Sequence, residues 1–273
     1  MAAFFYFVKF SGVTIRHRDF DMSIDLTGKV AIVTGNSTGL GKAIGLELGK
    51  LGAAVPINYF NNESRARSAL AEYESAGIKS FIAKADVTSE TGVDALVSQT
   101  ESQLGDVDIV VFNATCDQPL KTIEEYDWKF YQSMLDFFVK SPFLITKRVL
   151  PKMKEKKYGR IVSITSEVFH LAVAPFSAYV AAKGAQVGWS RSMSRELAPF
   201  GITVNMVAPG WVPVERHEKD PQEMKDGYLA GIPMQRWGTP PDVANACCYF
   251  ASDEANFVTG QTIAVNGGNS AWM

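Results

Sequence analysis

Short apolar runs alternate with longer amphipathic stretches along most of this chain. Apolar runs of about four to eight residues, bounded by turn residues, predict buried strands of a parallel sheet. The predicted strands are Val30–Thr34, Ala54–Asn58, Ser80–Ala85, Ile109–Asn113, Arg160–Ile164, Thr203–Ala208 and Thr262–Val265. The predicted helices are Gly39–Leu51, Ser64–Ala76, Glu90–Leu104, a broken helix over Ile123–Lys154, and Ser177–Ala198. This alternation predicts a doubly wound α/β fold with a seven-stranded parallel sheet and helices on both faces.

One predicted strand contains a residue that fits it poorly. Pro56 lies inside the second apolar run, and proline cannot donate to a strand ladder. We therefore expect a local bulge at this position.

Composition excludes several classes of function. The chain has 273 residues and no linker-like stretch, so a single domain is expected. A net charge of −2 gives no electrostatic support for nucleic acid or a membrane surface as a partner. Three cysteines without a CxxC pair argue against a disulfide framework and favour a cytoplasmic location. No residues have metal-ligand spacing, so no metal site is expected.

Candidate chemistry is concentrated around one tyrosine and one lysine. Tyr179 and Lys183 lie four residues apart in a predicted helix, which places them on one face, one turn apart. The lysine charge would favour the phenolate and lower the pKa of Tyr179 from its ordinary value near ~10. A phenol tuned in this way can exchange a proton with an alcohol oxygen near neutral pH. Ser166 lies thirteen residues upstream, after a predicted strand, where open α/β sheets place ligand sites.

A glycine-rich turn joins the first predicted strand to the first predicted helix. It consists of Gly35, Asn36, Ser37, Thr38, Gly39, Leu40 and Gly41. The glycines permit a tight turn and a close approach to a pyrophosphate, and the helix N-terminus offers free N–H groups. The turn predicts a dinucleotide site of the Rossmann type, with a glycine-rich turn that binds no ligand as the alternative.

Together, these motifs resemble the short-chain dehydrogenase/reductase family over roughly residues 23–270. The resemblance is closest to glucose 1-dehydrogenases and 3-oxoacyl-carrier-protein reductases. It implies an NAD(P)-dependent interconversion of a secondary alcohol and a ketone, with sugar or 3-oxoacyl substrates open. By this resemblance Ser166 hydrogen-bonds the substrate oxygen, Tyr179 is the general acid/base, and Lys183 also binds the nicotinamide ribose. The alternative is a catalytically weak dinucleotide-binding sensor or scaffold that kept the fold.

The same resemblance assigns further cofactor contacts. They are Asp86 and Val87 at the adenine, Asn113 and Ala114 beside its ribose, and Pro209, Gly210 and Val212 over the nicotinamide. Tyr59 stands where NAD-selective members carry aspartate, so the repulsion that an acid would exert on the 2′-phosphate of NADP(H) is missing. Asn58 could donate a hydrogen bond to that phosphate. This pattern favours NADP(H) over NAD(H). The less favoured alternative is that Asp86 is a strand-end cap and Asn113–Ala114 ordinary core.

Two phenylalanines depart from the family pattern. Phe138 occupies the position of an asparagine that supports a water chain from the lysine, and Phe112 replaces a second asparagine. We expect the two rings to pack against each other and to reduce catalytic efficiency without affecting cofactor binding. Restoring the amide by Phe138→Asn would then raise turnover.

The resemblance also bears on the surface and the ends of the chain. It implies a homotetramer. Residues 215–228 are interpreted as a mobile substrate lid or a plain surface loop. Residues 1–22 precede the first strand and form an N-terminal extension to one domain over residues 23–273. The extension is expected to be a packed arm or the result of a misassigned translation start, with Met22 as the true start; a functional element is the alternative.

Overall fold

The seven predicted strands form one sheet. The computed structural model describes residues 24–271, together with the backbone of residues 7–10 and 13–16. The strands are β3 Ala31–Val33, β4 Ile57–Tyr59, β5 Ile82–Lys84, β6 Ile109–Phe112, β7 Gly159–Ile164, β8 Ile202–Pro209 and β9 Thr262–Val265. Two earlier strands, β1 Phe7–Phe10 and β2 Val13–Arg16, pair antiparallel in a separate two-stranded sheet.

The predicted helices are all present, and the structure also contains helices at Val168–Leu171, Gln222–Gly231 and Pro240–Ala251. In chain order, the helices are α1 Gly39–Lys50, α2 Glu63–Ser75, α3 Glu90–Gln103, α4 Trp128–Leu135, α5 Ser141–Lys156, α6 Val168–Leu171, α7 Ser177–Leu197, α8 Gln222–Gly231 and α9 Pro240–Ala251. Side chains of the preceding residues cap several of them. Asn62 accepts a hydrogen bond from the backbone N–H of Arg65 (2.9 Å), and Ser89 from that of Gly92 (3.1 Å). Such caps satisfy N–H groups that have no partner inside the helix.

The sheet has the strand order β5-β4-β3-β6-β7-β8-β9, and all its pairs are parallel. The predicted doubly wound fold is therefore confirmed. The chain winds outward from β3 to β5 and then returns to the other side of β3 with β6. A crevice opens at such a reversal, at the carboxyl ends of the two strands, and ligands bind there in open α/β sheets.

Helices cover both faces of the sheet because the strand residues alternate between two cores. Ala31 and Val33 belong to a core that contains Phe250 of α9, whereas Ile32 belongs to a core that contains Ile145 of α5. All these residues are buried. Successive side chains of a strand point to opposite faces, so a central strand buried on both sides is apolar throughout.

The second strand of the doubly wound unit is interrupted at its proline. Ala54 forms an isolated bridge with Val30, and the ladder resumes only at Ile57. Pro56 has no N–H to donate, and its carbonyl instead accepts from the side chain of Asn36 (3.0 Å). A break therefore takes the place of the expected bulge.

The long predicted helix over residues 123–154 is broken near its middle. A single π-helical segment, Asp136–Lys140, separates α4 from α5. Pro142 lies in the first turn of α5 and cannot donate to the carbonyl of Phe138, the bond that a continuous α-helix would require. The backbone N–H of Ser141 bonds to the carbonyl of Asp136, five residues back.

Candidate active site

The carboxyl ends of four neighbouring strands carry most of the residues that the sequence singles out. The glycine turn follows β3, Asn113 follows β6, Ser166 follows β7 after a short loop, and Pro209 ends β8. Because these strands are adjacent and parallel, the structure brings the four segments to one edge of the sheet. Tyr59 and Asp86 lie further along that edge, at the ends of β4 and β5.

The threonine at the end of β3 joins two of these segments. The Thr34 hydroxyl accepts hydrogen bonds from the backbone N–H groups of Asn113 and Ala114 (2.9 Å each), and the Asn113 amide donates to the Thr34 carbonyl (2.9 Å). Sequence reasoning did not assign this role to Thr34, although a hydroxyl at a strand end was a visible signal. The turn begins immediately after it, and Gly35 has φ +66° with Ala114 close by, so a side chain there would be strained and crowded.

Two asparagines hold the glycine turn against β4. The Asn36 side chain accepts from the backbone N–H of Asn58 (2.7 Å), and the Asn58 side chain accepts from that of Gly35 (2.9 Å) and donates to the Ala85 carbonyl (3.2 Å). Both asparagines are buried. Asn58 thus positions the turn, so donors to a 2′-phosphate would have to come from exposed side chains such as Arg65.

The N-terminus of α1 can accommodate a phosphate group. Thr38 precedes the helix and makes no side-chain cap, and the side chains of the described residues offer no other acceptor to its first N–H groups. A side chain on Gly41 would come within 2.4 Å of the Asn113 amide, so this close packing of helix and strand requires glycine. Uncapped N–H groups and the positive end of the helix dipole fit an anionic pyrophosphate. The arrangement therefore fits a dinucleotide cofactor.

The two residues assigned to adenine have structural roles of their own. The Asp86 carboxylate accepts from the backbone N–H (2.8 Å) and the hydroxyl (2.7 Å) of Thr88, so it caps the turn before α3. Val87 is buried in the core beneath that helix. Contact of this pair with adenine stays a prediction.

Tyr179 and Lys183 lie one turn apart on α7, and both are buried, with 7% and 3% of their surface exposed. Burial raises the pKa of Tyr179 to about 12, while the charge of Arg216 and the Ser166 hydroxyl act in the opposite direction. The expected lowering by Lys183 is not found: the groups that lower this pKa are Arg216 and Ser166, and burial outweighs them because loss of water disfavours the phenolate. The phenol is protonated at neutral pH.

Lys183 is held by three neighbours of different chemistry. Its ammonium nitrogen donates to the Ile164 carbonyl (2.6 Å) and to the Gln186 side chain (3.1 Å), and it lies 3.7 Å from the ring centroid of Phe138. Burial lowers the pKa of Lys183 well below its ordinary value. Sequence reasoning did not include Gln186, although its spacing of three residues from Lys183 on a helix places the two side chains together.

The two phenylalanines that depart from the family pattern pack separately. The Phe138 ring lies edge-on to that of Tyr179, with 5.5 Å between centroids. The Phe112 ring instead meets Trp189 at 5.8 Å, in a different hydrophobic cluster. The expectation that the two rings pack against each other is wrong, because the π-helical segment points Phe138 toward α7.

The segment after β8 is folded rather than irregular. Its first part is a short 3-10 turn at Glu215–His217, and α8 follows. The hydroxyl of Tyr228 on α8 accepts from the backbone N–H of Trp211 (2.7 Å) and donates to Glu167. We call residues 211–231 the lid segment; that the part over residues 215–228 acts as a lid stays a prediction. Val212 within it is buried in the core, so any contact that it makes with the cofactor would come from its backbone.

Glu167 anchors the lid segment to the rest of the site. This residue directly follows Ser166 and is only 2% exposed. Besides the hydroxyl of Tyr228, its carboxylate accepts from the side-chain amides of Asn266 (3.0 Å) and Asn269 (3.2 Å). These bonds satisfy a buried carboxylate. They also link Ser166, the lid segment and the residues after β9, a connection that spans about a hundred residues of sequence and gave no local signal.

The comparisons with known proteins agree with this geometry. A family model described as enoyl-(acyl carrier protein) reductase matches residues 34–270. The 3-oxoacyl-[acyl-carrier-protein] reductase of Staphylococcus epidermidis is 36% identical over 242 residues, which are 88% of this chain and 98% of that protein. The 2-dehydro-3-deoxy-D-gluconate 5-dehydrogenase of Formosa agariphila is 35% identical over 255 residues, 90% of this chain and 96% of that protein.

Solved structures show the same relationship. A candidate gluconate dehydrogenase from Agrobacterium tumefaciens superimposes with a TM-score of 0.85 at 32% identity, covering 91% of this chain and 98% of that one. A candidate short-chain alcohol dehydrogenase from Sinorhizobium meliloti gives a TM-score of 0.84 at 25% identity, covering 90% of this chain and 97% of that one. With these matches over nearly its whole length, the chain belongs to the short-chain dehydrogenase/reductase family of oxidoreductases.

Proposed function

We propose that the protein is an NADP(H)-dependent oxidoreductase that interconverts a secondary alcohol and a ketone. The observation that supports this most directly is the grouping of Ser166, Tyr179 and Lys183 at the sheet edge that carries the uncapped N-terminus of α1. Relatives named as reductases and dehydrogenases add weight to it. Their names include a 3-oxoacyl reductase and a sugar-acid dehydrogenase, so both substrate types are candidates.

Each residue of the group has a distinct task in the proposed reaction. The bound nicotinamide supplies or accepts the hydride. The Ser166 hydroxyl holds the substrate oxygen, and the protonated phenol of Tyr179 donates a proton to it as the carbonyl is reduced. Lys183 is fixed by Ile164 and Gln186, and we assign it to the nicotinamide ribose. Reduction of a carbonyl needs a proton donor. Because the phenol is protonated at neutral pH, the cofactor-free protein already holds that donor in the form that reduction requires.

The preference for NADP(H) rests on the end of β4. Tyr59 offers no negative charge there. The acid next to it, Glu63, is paired with Arg67, whose Nε donates to it at 2.9 Å. Repulsion of a 2′-phosphate is therefore weak, and Arg65 nearby is exposed.

Exchanging Tyr59 for an acid tests this preference. Tyr59→Asp should shift the ratio of dissociation constants toward NADH, because the new carboxylate repels a 2′-phosphate. Tyr59→Asn is the matched control, because asparagine has the shape of aspartate without its charge, and it should shift the ratio much less. Titrations that follow nicotinamide fluorescence give both constants. A wild-type protein that binds NADH tenfold more tightly than NADPH would contradict the proposal.

Turnover decides between an enzyme and the sensor or scaffold alternative. The full chain is mixed with NADPH and a panel of sugar acids, 3-oxoacyl thioesters and diketones, and oxidation of the nicotinamide is followed by absorbance. The proposal expects turnover of at least one class. Tight NADPH binding without turnover of any of them would favour the alternative.

The proposed location is the cytoplasm. All three cysteines are free thiols, and Cys247 and Cys248 are buried, as expected for a reducing compartment. Among the described helices, none combines the length and the apolar character needed to span a membrane. The same described residues contain no group of three potential ligand side chains that could hold a metal ion.

A further inference from the structure

One arginine of the lid segment lies in a turn that packs over the glycine turn. Arg216 occupies the middle of the 3-10 turn at Glu215–His217. This turn lies over the glycine turn, since a side chain added at Gly39 would come within 3.7 Å of both Val214 and Glu215. Arg216 is therefore carried above the crevice at the end of β3.

The side chain of Arg216 is held at one end and unpaired at the other. Its Nε donates to Nε2 of His217 (3.0 Å), and the His217 ring packs edge-on against Trp211 at 5.9 Å between centroids. No described residue accepts a hydrogen bond from its two terminal nitrogens, and no described carboxylate forms an ion pair with it. A guanidinium presented in this way can bind a carboxylate through two parallel hydrogen bonds.

The positive charge of Arg216 acts on both Tyr179 and Lys183. After burial, it is the next largest influence on the pKa of Tyr179 and on that of Lys183, and it lowers both. Arg216 is thus near enough for its charge to act on both side chains. Glu167, the acid beside Ser166, is not a direct partner of Arg216, because its carboxylate oxygens already accept from Tyr228, Asn266 and Asn269.

We propose that Arg216 binds a carboxylate of the substrate, so that the protein acts on keto acids and hydroxy acids in preference to neutral ketones and alcohols. This assignment rests on the proposed function and narrows its substrate class. Arg216 would be a binding residue that contributes to specificity, whereas the proton is transferred by Tyr179.

Paired substrates test the assignment. Keto acids and their uncharged methyl esters are compared in the full chain with NADPH, for the wild type, Arg216→Ala and Arg216→Lys. Loss of a charge-assisted bidentate contact should lower kcat/KM for the acid by about 10- to 100-fold, mainly through KM, and should leave the ester nearly unchanged. Arg216→Lys should recover part of the loss. Equal losses for acid and ester would overturn the assignment.

Two controls separate this contact from other effects of charge. Lys219→Ala removes a positive charge from an exposed position of the same segment and should leave the preference for acid over ester unchanged. The dissociation constant of NADPH should be the same in Arg216→Ala and the wild type. If Arg216→Ala binds NADPH more weakly yet still prefers acids over esters, the side chain binds the cofactor and not the substrate, and the proposal is overturned.

A binding measurement distinguishes failure of this inference from failure of the proposed function. Calorimetry of the same keto acids with the full chain, with and without NADPH, requires no turnover. Binding of acids that Arg216→Ala abolishes supports the inference even in a protein that does not reduce them. Turnover of neutral ketones alone, with no binding of acids, overturns the inference and leaves the proposed function intact.

Discussion

At the scale of single residues, the buried ammonium of Lys183 and its aromatic neighbour form a unit. A lysine removed from water needs acceptors, and Ile164 and Gln186 provide two. The face of the Phe138 ring provides a third, since a cation 3.7 Å from a ring centroid is attracted by the π electrons. Phe138 therefore replaces the family's amide with a different kind of partner for the lysine and does not leave the position without a role.

Tyr179 is the residue on which the proposed chemistry depends most. Tyr179→Phe removes the proton donor and should lower turnover by about 100-fold or more, while the dissociation constant of NADPH stays close to that of the wild type. Because burial raises the pKa of this phenol to about 12, the cofactor-free protein should show no phenolate from Tyr179 between neutral pH and the ordinary tyrosine range near ~10. Ultraviolet difference spectra between wild type and variant measure that ionisation.

A tyrosine elsewhere supplies the control. Tyr249 on α9 packs beside Phe250, in the core on the other side of the sheet from α7, and Tyr249→Phe should leave turnover unchanged. Wild-type turnover in Tyr179→Phe would refute the proposed proton transfer. A Tyr179 phenolate that forms near neutral pH would show instead that Lys183 dominates over burial, as the sequence alone suggested.

The structure changes the expectation for Phe138. Lys183 already has its acceptors, so we expect Phe138→Asn to lower turnover rather than raise it. The variant should also reduce the free energy of unfolding by about 3 kcal/mol, because packing is lost and an amide is buried. Phe138→Leu keeps an apolar side chain without the ring and should be the more stable of the two. Urea unfolding and steady-state kinetics measure these effects. A folded Phe138→Asn protein that is faster than the wild type would show that the missing asparagine limits the rate.

At the scale of elements, α8 owes its position to a few polar contacts. The hydroxyl of Tyr228 bridges the Trp211 backbone and Glu167, and its ring stacks on Trp237 with 5.6 Å between centroids. Within α8 no residue counts as buried. Because few apolar contacts hold this helix, its opening should cost less free energy than unfolding of the core.

Removing that hydroxyl should loosen the lid segment. Tyr228→Phe leaves the ring stack but deprives Glu167 and the Trp211 N–H of a partner, which should cost about 1–3 kcal/mol. The expected result is faster proteolysis within residues 211–231 and a higher KM, with a smaller change in the dissociation constant of NADPH. Tyr249→Phe is again the matched change. Unaltered proteolysis and KM would mean that stacking alone holds the segment.

Elements were predictable where local pattern decides them, and the rest depends on contacts distant in sequence. The seven strands were visible as apolar runs, and the spacing of Tyr179 and Lys183 was visible as one helical turn. The break in the long helix was predicted too, but its π-helical form was not, because that form depends on packing against α7. The part played by Glu167 was equally hidden, since its partners lie near the other end of the chain.

At the scale of the whole molecule, the surface around α4 and α5 suggests assembly. Large apolar side chains remain exposed there, with Trp128 at 70% and Phe143 at 50%. Large exposed apolar side chains can favour association with another chain, and closed symmetry is the common result for identical chains. Trp272, which the sequence also suggested for an interface, lies outside the described residues.

We predict a homotetramer. Light scattering at micromolar concentration should give four times the mass of the chain. Trp128→Lys and Phe143→Lys, placed on the exposed side of α4 and α5, should reduce the assembly, whereas the same change at the equally exposed Phe60 beside the cofactor site should not. A wild-type protein that is monomeric at this concentration would contradict the prediction.

The bonds between Glu167 and the residues after β9 have a practical consequence for handling the protein. Asn269 binds Glu167 directly, and Ser270 accepts from the Asn266 amide at 2.8 Å. An affinity tag or a fused carrier placed after Met273 would begin a few residues after the segment that carries these bonds. We expect it to weaken them, and with them the positioning of Glu167 beside Ser166. A purification handle at the opposite terminus is far from these residues in the sequence.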